Sequence, residues 1–149
     1  MKLTSLCVFG GMACAWMAAG VAHAQCNNTT LTAGWSYTAA GTDNRGYIEH
    51  RAEAGLFTFN GTGQFTLKDT ASHDGVINRL ETSTGTYTVN ADCTGTLIVH
   101  RDPYIVHFAI TIDVVNKTFT LACTDPDAEL WVAKNYKYQS TYTGRAIKQ

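Results

Sequence analysis

The stretch Gly55-Leu56-Phe57-Thr58-Phe59-Asn60-Gly61-Thr62-Gly63-Gln64-Phe65-Thr66-Leu67 constrains this chain more than any other. Two runs of β-branched and aromatic residues flank Gly-Thr-Gly, the pattern of a hairpin whose turn needs positive φ. Pairing Asn60 with Gln64 leaves a three-residue loop. It sets Phe59 opposite Phe65 and Phe57 opposite Leu67, gathering four large apolar side chains on one face. A slip of one residue would scatter them.

The theme recurs along the chain. Strands are predicted at 35–42, 47–60, 64–73, 77–89, 96–101, 104–114, 118–123 and 130–147. Tight turns at Asn44-Arg45-Gly46, Asp74-Gly75, Asn90–Gly95, Asp102-Pro103 and Thr124–Asp127 join them. Segments 57–60, 87–90 and 112–116 each end an apolar–polar alternation in Asn. No stretch holds a helical period, although Ala52–Leu56 alone is ambiguous. This is an all-β chain, expected to form an antiparallel up-and-down β-barrel of about eight strands, since closure removes exposed edges. A two-sheet sandwich is the alternative.

Residues 1–24 read as a signal peptide: Lys2, an apolar stretch from Leu3 to Val21, then Ala22-His23-Ala24. The remaining 25–149 suffice for one domain, expected to be secreted or periplasmic. No later segment has the length and hydropathy of a spanning helix, so no membrane contact is expected after cleavage. Net charge is −1 with no basic cluster, which argues against nucleic acid. Cys26, Cys93 and Cys123 follow the leader. Cys26 and Cys93 both sit in turn-rich surroundings and are the expected disulfide in an oxidising compartment. Cys123 alternates with Phe119 and Leu121 and reads as a core thiol.

Gly34-Trp35 on the first strand and Arg145 on the last resemble the lipocalin-like (calycin) barrel closure, in which a tryptophan and an arginine stack at one end. The segment Gly85–Leu97 is similar to exported bacterial barrels shaped like allene oxide cyclase and dirigent proteins. The resemblance implies a barrel. It brings no ligand with it, because the remaining lipocalin motifs are missing.

Extending the hairpin register away from its turn places Glu49, Arg51 and Glu53 on the face of Phe57 and Phe59, and Asp69 and His73 on that of Phe65 and Leu67. Arg51 then falls opposite His73, and Gly55 opposite Asp69. Tyr87 and Val89 carry Arg79, Glu81 and Ser83 on their face. The simpler expectation is a bulge at Ala54-Gly55 that turns the outer charges to solvent. The sharper one is an inward-facing rim with acid–base residues Glu49, Arg51, Glu53, Asp69, His73 and Glu81. Beneath it, Phe57, Phe59, Phe65, Tyr87, Phe108 and Ile110 would form an apolar floor for a small hydrophobic molecule.

Other chemistries fare worse. His100 and His107 alternate with core residues and are expected outside, and paired-cysteine or His-x-His spacings for a metal are absent. No serine lies in Gly-x-Ser-x-Gly. Tyr136, Tyr138 and Tyr142 share a face of the last strand, as a ligand wall, core or contact surface. Asn27, Asn28, Asn60 and Asn116 open Asn-x-Thr sequons. Three functions follow: a cofactor-free cyclase, isomerase or lyase; a carrier of a small apolar molecule; or a structural protein with a filled core. Exterior Ile98, Ile105 and Ala109 point to a possible homo-oligomer.

Overall fold

A computed structural model describes residues 25–44, 48–101, 104–124 and 139–149. The expected signal peptide at 1–24, the turns expected at 45–47, 102–103 and 125–127, and the expected start of the last strand with Tyr136 and Tyr138 lie outside these. A 3-10 turn, Asn28–Thr30, precedes eight strands: β1 Thr32–Asn44, β2 Ile48–Asn60, β3 Gln64–His73, β4 Val76–Val89, β5 Thr94–Arg101, β6 Tyr104–Asp113, β7 Thr118–Cys123 and β8 Gln139–Lys148. Each pairs antiparallel with the next, and β8 closes on β1. The result is a closed up-and-down barrel and not a sandwich. Ala52–Leu56 is strand. No helix among the described residues is long and apolar enough to cross a membrane.

The β2–β3 register is the expected one: Phe59 faces Phe65, Phe57 faces Leu67, Gly55 faces Asp69 and Arg51 faces His73. Gly61 and Gly63 take φ of 79° and 107°, and the Asn60 side chain accepts from the Thr62 and Gln64 amides. Alternation then decides the interior, since successive side chains point to opposite sheet faces.

One end is packed shut. Trp35, Phe57, Phe59, Phe65, Tyr87, Leu97, Ile110, Ile112 and Phe119 are buried together, with Phe59 edge-on to Tyr87 at 5.0 Å. Gly85 leaves space for the Phe65 ring, which a Cβ there would strike at 2.2 Å. The segment before β1 plugs this end. Leu31 is fully buried, and the Tyr87 hydroxyl lies 3.0 Å from the carbonyls of both Asn28 and Leu31. The Cys26–Cys93 disulfide ties the plug to the β4–β5 turn.

The cation over the Trp35 ring is Lys148, 5.8 Å from its centroid. Arg145 is exposed on the outer face, because its neighbour Ala146 points in. The expected Trp35–Arg145 stack is therefore replaced by a lysine three residues further on. Cys123 is half-buried at the margin of the core.

Candidate functional site

At the opposite end the same inward-facing rows change character. No bulge interrupts β2 at Ala54-Gly55, so Glu53, Arg51 and Glu49 follow Phe57 inward. Glu49, Glu53 and Asp69 are buried, and Arg51, His73 and Glu81 are partly so. The expected exposure of these charges is thus corrected, and an ionised layer lies above the aromatic one.

Glu53 is its hub. Oε1 accepts from Arg51 Nε at 2.6 Å and from Arg51 Nη2, and lies 3.5 Å from Arg101 Nη1. Oε2 accepts from the hydroxyls of Tyr37, at 3.0 Å, and Tyr142. The same Tyr37 hydroxyl lies 2.9 Å from Asp69 Oδ2, so its one proton is shared between the two carboxylates, and Asp69 Oδ2 accepts from Arg101 Nη2 at 2.5 Å. Arg101 also donates through Nε to Ser83 Oγ at 3.0 Å and approaches Glu81 at 3.4 Å. Asp69 Oδ1 is buried and has no hydrogen-bond partner among the described residues. The Arg51 guanidinium lies over the Tyr142 ring, 5.4 Å from its centroid.

Burial opposes the charge on Glu53, but Arg51, the Tyr142 hydroxyl and Arg101 outweigh it and hold this carboxyl below the usual range. Burial, reinforced by the Glu53 charge, pushes both Tyr37 and Tyr142 far above ordinary phenols. Glu53 is thus an ionised, multiply bonded acceptor. That suits it to position arginines and tyrosines and makes it a poor proton carrier at neutral pH.

Nearer the rim, His73 Nδ1 lies 2.6 Å from Glu49 Oε1. His73 Nε2 has no hydrogen-bond partner among the described residues. His73 also stands directly cross-strand from Arg51. This pair has the arrangement of an oriented imidazole: a carboxylate on one nitrogen and the other available for proton transfer.

The apolar floor takes a different form from the one expected. Phe59, Phe65, Tyr87 and Ile110 are consumed by mutual packing and do not reach the cavity. What opens between the layers is about 20 Å³, room for roughly one water. Phe57, Leu67, Val99, Val106, Phe108 and Leu121 line it from below and the side. Tyr37, Arg51, Glu53, Arg101 and Tyr142 line it from above.

Of the six acid–base candidates, Glu49 and His73 pair with each other, while Arg51, Glu53, Asp69 and Glu81 join the network organised by Arg101. Arg79 is exposed, because a register shift between Asp69 and Ala71 puts two β4 residues, Arg79 and Leu80, opposite Thr70. Arg101 escaped notice in the sequence, although its alternation with Leu97 and Val99 was the available signal. Among the outward-facing histidines, His100 is exposed and His107 partly so. No three His, Cys, Asp or Glu among the described residues group as a metal site would require.

The fold and site together define an eight-stranded up-and-down barrel with one sealed aromatic end and one ion-paired mouth. Compared with known proteins, the chain matches no family model, no curated protein and no solved structure.

Proposed function

We propose that the mouth of this exported barrel performs cofactor-free proton transfer on a small carbonyl compound. The observation that carries this reading is the Glu49–His73 pair at 2.6 Å with Arg51 cross-strand from the imidazole. His73 Nε2 would take a proton from the carbon beside the carbonyl, the Arg51 guanidinium would neutralise the oxygen as charge develops there, and the same imidazolium would return the proton to another atom. An isomerase, cyclase or lyase fits that sequence. Glu53, Asp69, Tyr37 and Tyr142 hold Arg51 and Arg101 in place. A cavity this small takes little of a substrate, so the reacting compound sits at the rim with its apolar part towards Val106 and Phe108.

The test is hydrogen–deuterium exchange of small ketones and enones followed by NMR in heavy water. His73→Ala should lower exchange about 10²–10⁴-fold with an unchanged melting temperature. Glu49→Gln should lower it less. Equal exchange by wild type and His73→Ala for every compound would overturn the catalytic reading.

A binding role without turnover is favoured by a separate observation, the saturation of Glu53 by four donor groups. Native mass spectrometry of protein from its own host decides it: a retained small molecule that survives His73→Ala supports binding alone.

A further inference from the structure

The mouth is not electrically balanced. Its described inward-facing residues carry four carboxylates, Glu49, Glu53, Asp69 and Glu81, against two guanidiniums, Arg51 and Arg101. A proton on His73 would leave the sum negative. The sequence of the undescribed stretches 45–47, 102–103 and 125–138 holds four carboxylates and three cations, so composition there does not reverse the sign.

Both guanidiniums are already committed to carboxylates. Arg51 holds Glu53 through Nε and Nη2, and Arg101 meets Glu53, Asp69, Glu81 and Ser83 with its three nitrogens. No uncompensated cation is left among the described residues for a permanently anionic ligand. What the layer lacks is donors. The Asp69 side chain is fully buried on the inward row of Leu67, yet its Oδ1 has no partner among the described residues.

Glu81 is the acceptor that a solute can reach. Its side chain is 36 % exposed, against 5 % for Glu53 and 8 % for Glu49. Its contact with Arg101, at 3.4 Å, is long for a charge-assisted hydrogen bond, and Oε1 has no polar partner among the described residues. A metal ion would need converging ligands, and no three His, Cys, Asp or Glu among the described residues group that way. An ammonium needs no such convergence, because it is a point charge with three separate donors. Val106 and Phe108 border the same opening and suit the apolar part of an amine.

We propose that the mouth selects an organic cation, a compound whose ammonium group Glu81 receives, and turns away carboxylates. The inference rests on reading the mouth as a ligand site, and it holds for turnover or for binding alone.

Three matched probes test it: phenethylammonium, 2-phenylethanol and phenylacetate, titrated into the protein and followed by NMR at low salt and at roughly 0.5 M salt. Phenethylammonium should bind about tenfold more tightly than the alcohol at low salt, and phenylacetate more weakly than either. High salt should shrink the difference. Glu81→Gln should bring the ammonium down to the affinity of the alcohol at an unchanged melting temperature, and Glu81→Asp should restore part of the preference. Phenylacetate binding as tightly as phenethylammonium, no binding by any probe, or a preference that survives Glu81→Gln overturns the proposal. Calcium chloride shifting the mouth resonances while the ammonium leaves them unmoved would place a metal there and overturn it too. The titrations need no turnover, so equal exchange by wild type and His73→Ala would overturn the catalytic reading and leave this one standing.

Discussion

The two halves of the barrel are built from the same strands with the same alternation, yet they are held by different forces. In the closed half the inward residues are aromatic and aliphatic, and they are buried against one another. In the open half they are Glu53, Asp69, Arg51, Arg101, Tyr37 and Tyr142, bonded to one another with only Asp69 Oδ1 left without a partner among the described buried side-chain atoms. Apolar packing gains from every contact and needs no particular partner. An ion-paired layer gains little over an apolar one of the same shape, and losing one partner strands the rest. A protein that needed only stability would have continued the aromatic half upward. The charged half is the end to which the proposed proton transfer is assigned.

Substitutions should separate the halves by size and by response to pH. The largest effect is expected in the closed half. Phe57 touches Tyr37, Phe59, Phe65 and Phe119, so Phe57→Ala should cost up to about 5 kcal/mol in chemical denaturation, with little dependence on pH. Replacing both Cys26 and Cys93 by serine releases a closure spanning 67 residues and should cost about 4 kcal/mol, an effect matched by adding reductant to the wild type.

The open half should answer to acid. The folded-state pKa of Glu53 lies below its unfolded value, so its ionisation stabilises the fold above about pH 4.3. That contribution is lost as the pH falls through the folded value. Glu53→Gln should therefore cost about 3 kcal/mol near neutrality, and the gap to wild type should close in acid, as denaturation across pH 2–7 would show. A constant gap would mean that Glu53 stabilises by shape and not by charge. The smallest effect belongs to the closed end's rim: Lys148→Ala removes the cation over Trp35 and should cost about 0.5 kcal/mol, weakening further at high salt.

Much of this was legible in the sequence because side-chain direction in a strand is a local property. From the Gly61-Thr62-Gly63 turn, counting by twos along β2 placed Glu53, Arg51 and Glu49 on the face of Phe57, and along β3 it placed Asp69 and His73 with Leu67. The same count failed at Arg79. There an extra residue in β4 breaks parity, and nothing local to Asn78-Arg79-Leu80 announces it.

The chain by itself settled the order of the strands, the Gly61-Thr62-Gly63 turn and the disulfide partners, and it offered the inward face of Glu53, Arg51 and Glu49 as one of two readings. Tertiary structure decided which faces meet. Tyr142 reaches Glu53 across 89 residues of sequence, and Arg101 reaches Asp69 across 32. It also decided that Phe59, Phe65 and Tyr87 pack on one another, leaving space for little more than one water beside Phe57. The reason is that direction belongs to one strand at a time, whereas interior volume and charge pairing are shared by all eight.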